Sequence, residues 1–284
     1  MEGIIYKILN DKCKIKYNKE VVICSIRGKI RTQKLLPLVG DKVVFDMEKK
    51  VIEKILPRKT EIRRPPVSNI TQGLIVASLK KPDLDTNLID KIIVELEYNH
   101  IHPIICFTKK DLLTEEEYTK ISDVIEYYKK LYPVYFNDEI DSIKEIFKGE
   151  ITVFIGQTGA GKSSLLNRLD SSLKLQTGEI SDALGRGRHT TRSAEIIDLF
   201  GGMLLDTPGF SALEFANMLK SEIRDAFIEF RKYPCEYRDC MHIKEENCHI
   251  KEMVKQKIIP EFRYENYLNL VKTAQNETEK YKRR

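Results

Sequence analysis

Gly156-Gln157-Thr158-Gly159-Ala160-Gly161-Lys162-Ser163 follows the apolar run Ile151 to Ile155 and leads into the helical stretch Ser164-Leu165-Leu166. The octapeptide satisfies G-x-x-x-x-G-K-[ST] without deviation, and each part has a chemical reason. Glycines let the backbone wrap closely around phosphate and turn successive N–H groups inward. A helix starting near Lys162 adds its positive N-terminal end. Lys162 is expected to reach the β- and γ-phosphates, and the Ser163 hydroxyl to bind Mg²⁺. Strand, glycine loop and helix in this order predict a parallel sheet covered on both faces, with a phosphate site at its edge.

Upstream, Leu74 to Ser78 reads as a buried strand, Asn87 to Asn99 as an amphipathic helix and Pro103 to Phe107 as another buried strand. Phe107-Thr108-Lys109-Lys110-Asp111-Leu112 follows, then a helix capped by Thr114 and running to about Leu131. Thr108, Lys109 and Asp111 have the form [NT]-K-x-D used by GTPases to recognise guanine. A carboxylate at Asp111 can accept both the N1 and N2 hydrogens of guanine, a pair that adenine does not offer. The Lys109 stem can pack along the base, and Thr108 can brace the loop. In ordinary GTPases this motif follows the phosphate loop, but here it precedes it by about 45 residues. The order is that of a circular permutation, which a sheet tolerates because strands need only be neighbours in space. The alternative is a P-loop ATPase with an incidental T-K-K-D.

Downstream, Asp206-Thr207-Pro208-Gly209 follows the apolar Met203-Leu204-Leu205. In such a D-x-x-G, Asp206 holds Mg²⁺ through water and the Gly209 amide contacts the γ-phosphate. The intervening Gly185-Arg186-Gly187-Arg188-His189-Thr190-Thr191-Arg192 has no hydrophobic period and reads as a segment ordered by ligand. Thr191, ahead of Thr190, is the candidate to complete the Mg²⁺ shell with Ser163 and Asp206. Phe210 stands where many GTPases place a water-orienting glutamine, so slow basal turnover that needs a partner is expected. Lys162, Thr191 and His189 are the candidate catalytic residues, His189 as a group that positions water. Arg186, Arg188 and Arg192 can contact phosphate, bind RNA or simply stay solvated.

The ends of the chain differ from its middle. Of 284 residues, 42% are hydrophobic, enough for real cores, and no apolar run approaches the length of a membrane helix. The opening Met1 to Asn10 lacks a basic region followed by an apolar block, so a cytoplasmic protein is expected. Residues 1–66 hold 17 basic and 8 acidic side chains, a charge that favours a polyanion partner, most simply nucleic acid. Within them Gly3 to Leu9, Lys12 to Tyr17, Val21 to Ile26, Lys42 to Phe45 and Val51 to Ile55 read as short strands punctuated by Gly28, Gly40-Asp41 and Pro57. Five such strands suggest a small barrel, of which the oligonucleotide-binding (OB) fold is one option. Arg63-Arg64-Pro65-Pro66 is read as the boundary that follows, and helices dominate after about Asn217.

Cys13, Cys24 and Cys106 sit singly in apolar segments and read as core residues. Cys235, Cys240, His242 and Cys248 form C-x4-C-x-H-x5-C, in a window where a uniform spread of cysteines would put about 0.3. Three thiolates and an imidazole make a closed tetrahedral zinc set of the structural kind. His249 competes with His242 as the fourth ligand, and His242 is preferred.

Together, T-K-K-D before G-Q-T-G-A-G-K-S-S-L, then G-R-G-R-H-T-T, D-T-P-G-F, the cysteine cluster and Arg263-Tyr264-Glu265-Asn266-Tyr267 resemble the bacterial ribosome small-subunit-dependent GTPase A (RsgA) family over nearly the whole chain. The resemblance implies a multidomain α/β protein. Its parts are an OB-like, RNA-binding β-barrel (1–66), a central circularly permuted P-loop GTPase α/β domain (67–217) and a C-terminal helical zinc-binding domain (218–284). It implies GTP/GDP, Mg²⁺ and one structural Zn²⁺ as cofactors, with GTP held by Thr108, Lys109, Asp111, residues Gly156 to Ser164, Asp206 and Gly209. It also implies a role in late maturation of the small ribosomal subunit, with turnover stimulated by that subunit and its rRNA as partner, no membrane, and action as a monomer. Two departures stand out: Thr108 occupies a position often held by Asn, and no small-residue loop supporting guanine is evident near Phe136 and Asn137. A nucleotide-stabilised RNA-binding assembly factor is the competing class, separable by whether RNA binding responds to nucleotide or to salt alone.

Overall fold

The computed structural model describes residues 1–18, 20–26, 36–63, 66–171, 194–206 and 218–274, with the backbone alone for Arg63, Glu195 and Asp206. Strands β1 (Glu2–Leu9), β2 (Lys12–Tyr17), β3 (Glu20–Ile26), β4 (Lys42–Asp46) and β5 (Val51–Ile55) occupy the five stretches read as strands. They close into a barrel, because β1 pairs with both β2 and β4 while β3 and β4 both pair with β5. Alternation explains the closure. Cys13 and Ile15 of β2 point into a core with Ile5, Cys24, Val43, Phe45 and Ile52, while the lysines between them stay at the surface.

Short strands flank the segment read as a boundary. Strands β6 (Glu61–Arg63) and β7 (Pro66–Ser68) pair as a two-stranded ribbon. Buried Asp41 holds the ribbon to the barrel: it accepts from the Arg58 guanidinium (2.7 and 2.9 Å) and from the Ser68 hydroxyl (2.6 Å). These charge-assisted bonds fasten the ribbon to the barrel.

The central sheet runs β10-β9-β8-β11-β13-β12. In chain order these are β8 (Gln72–Ser78), β9 (His102–Thr108), β10 (Val134–Phe136), β11 (Ile151–Ile155), β12 (Glu195–Leu199) and β13 (Gly202–Asp206). The first four and β13 are mutually parallel, and β12 turns back antiparallel to β13. β8 and β11 are buried at every position, as strands covered on both faces must be. Ile75, Ile105, Phe107 and Val153 face one core with helices α1 (Thr86–Tyr98) and α2 (Glu115–Lys129). Leu74, Val76, Cys106 and Phe154 face the other, with α3 (Ile140–Glu145) and α4 (Lys162–Leu169).

Two joints tie this domain to its neighbours. On one side β1 pairs with β12 at Lys7 and Glu195, so barrel and central sheet share one hydrogen-bonded sheet. Beside that pair the Tyr6 hydroxyl and the Lys16 ammonium both meet the Asp198 carboxylate, whose side chain is 57% exposed. On the other side lie α5 (Lys220–Ala226), α6 (His249–Lys255) and α7 (Glu261–Thr273). Phe227, Phe230, Ile250, Tyr267 and Leu270 form their core, into which Val94 of α1 also packs. Beneath this contact Arg263 is fully buried, donating to Glu229 (2.7 Å) and to Asp90 of α1. Asp90 also accepts from Tyr128 (2.6 Å) and Asn266 (2.7 Å). Cys13, Cys24 and Cys106 are all buried core residues, as read from the sequence.

Candidate functional site

Every parallel strand of the sheet ends at the same edge, the place where open α/β sheets bind ligands. β11 delivers Gly156 there, β9 delivers Thr108 and β10 delivers Phe136. β13 delivers the backbone of Asp206. Sequence-distant motifs therefore meet through strand register alone.

The phosphate loop is shaped by close approach. A Cβ on Gly156 would stand 2.2 Å from the Val76 carbonyl oxygen of the neighbouring strand, so only glycine fits. Gly161 adopts φ +97° at the cap of α4, the left-handed turn that points the loop back over the helix end. Ala160 and Ser163 are buried, and the Lys162 ammonium donates to the carbonyls of Gly156 (2.5 Å) and Gln157 (2.9 Å). The cation thus lies over the loop whose amides the sequence assigns to phosphate.

The T-K-K-D segment docks directly on this loop. Thr108, at the end of β9, donates its buried hydroxyl to the Ala160 carbonyl (2.6 Å). Lys109 is left-handed (φ +60°), and its ammonium donates to the carbonyls of Gly159 (2.7 Å) and Lys81. Asp111 lies in the 3-10 turn Lys110–Leu112 with its side chain exposed. Thr108 and Lys109 thus each tie this segment to the phosphate loop.

Two neighbours of this arrangement escape a reading of motifs. Lys80, in the loop after β8, donates to both oxygens of Glu117 (2.8 and 2.6 Å), which also completes the capping box of α2 with Thr114. The turn after β10 is held by the Asn137 N–H donating to the Phe107 carbonyl (3.0 Å) and the Phe136 N–H donating to Glu139 (2.6 Å). This turn stands beside the T-K-K-D segment, at the position where a supporting loop was sought by residue type. Its signal was register: Phe136 pairs with Phe107 in adjacent parallel strands. His189, Thr190, Thr191, Gly209, Phe210, Arg186, Arg188 and Arg192 lie outside the described residues.

In the C-terminal domain, one ligand atom from each of Cys235, Cys240, His242 and Cys248 falls within 4.8 Å of all the others. The sulfurs of Cys235 and Cys248 are 3.8 Å apart, and His242 Nδ1 lies 3.3 to 3.5 Å from the three sulfurs. Bond lengths of about 2.3 Å to sulfur and 2.0 Å to nitrogen in a tetrahedron give edges of about 3.8 and 3.5 Å. The donor set therefore fits zinc. Burial, then the nearby Arg224 charge, hold the His242 imidazole down at about 4, keeping it in the neutral form that binds metal. His249 is directed elsewhere, donating from Nδ1 to the Pro234 carbonyl (2.5 Å). Tyr264 and Tyr267 of α7 donate to the carbonyls of His242 and Met241 (both 2.5 Å), which orients the cluster on the domain core.

Two family profiles match the chain, RsgA GTPase over residues 55–216 and RsgA N-terminal domain over residues 2–52. The small ribosomal subunit biogenesis GTPase RsgA of Enterococcus faecalis is 40% identical over 293 residues, spanning 100% of this chain and 99% of that protein. Its counterpart in Clostridium beijerinckii is 41% identical over 276 residues, 94% of this chain and 95% of the relative. Among solved structures, YjeQ from Thermotoga maritima matches with a TM-score of 0.84 and 34% identity, over 100% of this chain and 99% of that one. YloQ, described as a circularly permuted GTPase, matches at 0.80 and 33%, over 100% and 96%.

Proposed function

This chain belongs to the RsgA GTPase family, and from that premise we propose that it hydrolyses GTP in the maturation of the small (30S) ribosomal subunit, binding the subunit's rRNA and turning over faster upon it. The observation that carries the reading is the bond from Thr108 to the Ala160 carbonyl, which fixes the guanine motif against the phosphate loop (2.6 Å). Base and phosphate sites are thereby held at one spacing, as a nucleotide requires.

In this reading the loop amides of residues 156–163 and the Lys162 ammonium take the β- and γ-phosphates, and Asp111 takes the guanine edge. Ser163, Asp206 and Thr191 would hold Mg²⁺, which supplies neutralisation of charge developing between the β- and γ-phosphates. Gly209 would report the γ-phosphate to the segment that follows it. With Phe210 in place of a water-orienting side chain, basal turnover is slow, and His189 positions water, directly or when the subunit pushes its segment inward. The zinc set is structural, since four protein donors leave no position for water. The basic N-terminal barrel presents Lys12 and Lys14 along one strand and is the natural rRNA contact. A ribosomal partner places the protein in the cytoplasm.

The test is phosphate release from GTP and from ATP, with and without purified small subunits. Slow GTP turnover, at least tenfold faster with subunits and undetectable with ATP, is expected. Equal use of both nucleotides would leave a general triphosphatase, and indifference to subunits would remove the ribosomal assignment.

A further inference from the structure

We infer that Lys110, the variable position of T-K-K-D, is a positioning residue that sets guanine selectivity by clamping the turn that carries Asp111. The inference rests on the guanine reading above and deepens it.

Asp111 sits in a single 3-10 turn of three residues, closed by the Leu112 N–H on the Lys109 carbonyl and the Leu113 N–H on the Lys110 carbonyl (both 3.1 Å). So short a turn, with its side chain exposed, has little intrinsic rigidity. Thr108 and Lys109 anchor the segment before the turn to the phosphate loop, but neither bond reaches Asp111 itself. Lys110 supplies the missing hold. Its ammonium stands 4.6 Å from the ring centroid of Tyr118 and 4.8 Å from that of Phe136. Tyr118 lies early in α2, and Phe136 ends β10 immediately before the turn at Asn137. One cation therefore connects three separate segments around the position expected for the base.

Among the described residues Lys110 has no ion-pair partner, so the two rings are what locate its head. Lys129 behaves differently: it lies 5.8 Å from the Phe136 ring but pairs with Glu126 (2.8 Å). A cation held over aromatic faces gains modestly at an exposed site, and two such contacts weight the clamped turn by roughly five- to thirtyfold. The clamp matters for selectivity because the Asp111 carboxylate must meet two hydrogens of guanine at once. A turn free to shift still meets one of them. It then tells guanine poorly from hypoxanthine, which lacks the 2-amino group.

The experiment measures dissociation constants for fluorescent GDP, IDP and ADP in the full-length protein and its Lys110→Gln, Lys110→Arg and Tyr118→Leu variants. The unaltered protein is expected to prefer GDP over ADP strongly. Lys110→Gln should weaken GDP about five- to tenfold and narrow the ratio of IDP to GDP dissociation constants. Lys110→Arg, which keeps the charge over both rings, should restore affinity and ratio, and Tyr118→Leu should reproduce part of the loss. A Lys110→Gln protein with unchanged GDP affinity and unchanged ratio overturns the inference while leaving the guanine reading intact. So does an affinity loss equal for all three nucleotides, which would mark a general structural role. Equal binding of GDP and ADP by the unaltered protein would instead remove the guanine reading, and the inference with it.

Discussion

The central domain meets its neighbours at two polar joints built on opposite principles. At the barrel joint, Asp198 of β12 meets Tyr6 and Lys16 in contact with water, its side chain 57% exposed. At the zinc-domain joint, Asp90 and Arg263 are wholly buried, and Glu229, Tyr128 and Asn266 satisfy what the pair leaves open. An exposed pair gains little over its hydrated state, whereas a buried one is costly to break because the surviving charge has nowhere to go. The first joint can reorganise at small cost. The second makes the zinc domain and α1 move together. Both touch elements that lead to the phosphate-loop edge of the sheet: β13 ends there, paired with β12, and α1 follows β8 beside the phosphate loop.

The comparison breaks most decisively at Arg263. Arg263→Ala would strand the buried carboxylates of Asp90 and Glu229 and should destabilise the protein by about 3–5 kcal/mol. Denaturant unfolding measures it, and a loss below about 1 kcal/mol would mean that the joint does not hold the domains together. Metal removal sharpens the contrast within one side. Chelation should expose Cys235, Cys240 and Cys248 to a thiol reagent and lower Tm by about 4–8 °C, the equivalent of ~2 kcal/mol. Because the Asp90–Arg263–Glu229 contacts do not pass through the cluster, α7 should keep its amide-exchange protection; its loss would show that the metal, not the ion network, secures the domain.

The smallest effect is expected at the barrel joint. Asp198→Asn should cost about 0.2–1 kcal/mol, less at high salt. Burial works against the Asp198 charge, but Lys16 and Tyr6 outweigh it and hold the carboxyl below its ordinary value. A depressed carboxyl contributes stability that is full above its unfolded pKa and is lost as pH falls through the folded one. The difference in stability between Asp198→Asn and the unaltered protein should therefore shrink on acidification below about pH 4. A difference that persists there would assign the effect to packing instead of charge.

How much of this was legible in the sequence varies with the range of the interactions involved. β11 and the five barrel strands could be read from alternation and apolar runs, because period and burial are local properties of the chain. The zinc set was legible because its four donors fall within 14 residues, and the preference for His242 agrees with the direction of the His249 ring, which points to the Pro234 carbonyl. Arg263 was visible as part of a motif without a role, since its partner Asp90 is 173 residues away. A hint existed in α1, where Asp90 interrupts the apolar face formed by Ile89, Ile92 and Ile93. The joining of β1 to β12 left no such trace: one backbone pair has no side-chain signature.

The order of strands along the chain also has a consequence in time. Synthesis releases the N-terminal part first. β8 and β9 therefore leave the ribosome together, but the other neighbour of β8 in the sheet is β11, which begins at Ile151. Until that strand emerges, a nascent chain carries the T-K-K-D turn, one open edge on a strand that is buried at every position in the folded protein, and no phosphate loop. Such an edge is a template for wrong pairing. In a GTPase of ordinary motif order the phosphate-loop strand comes first; here it follows the T-K-K-D strand, and the vulnerable interval ends when β11 closes against β8.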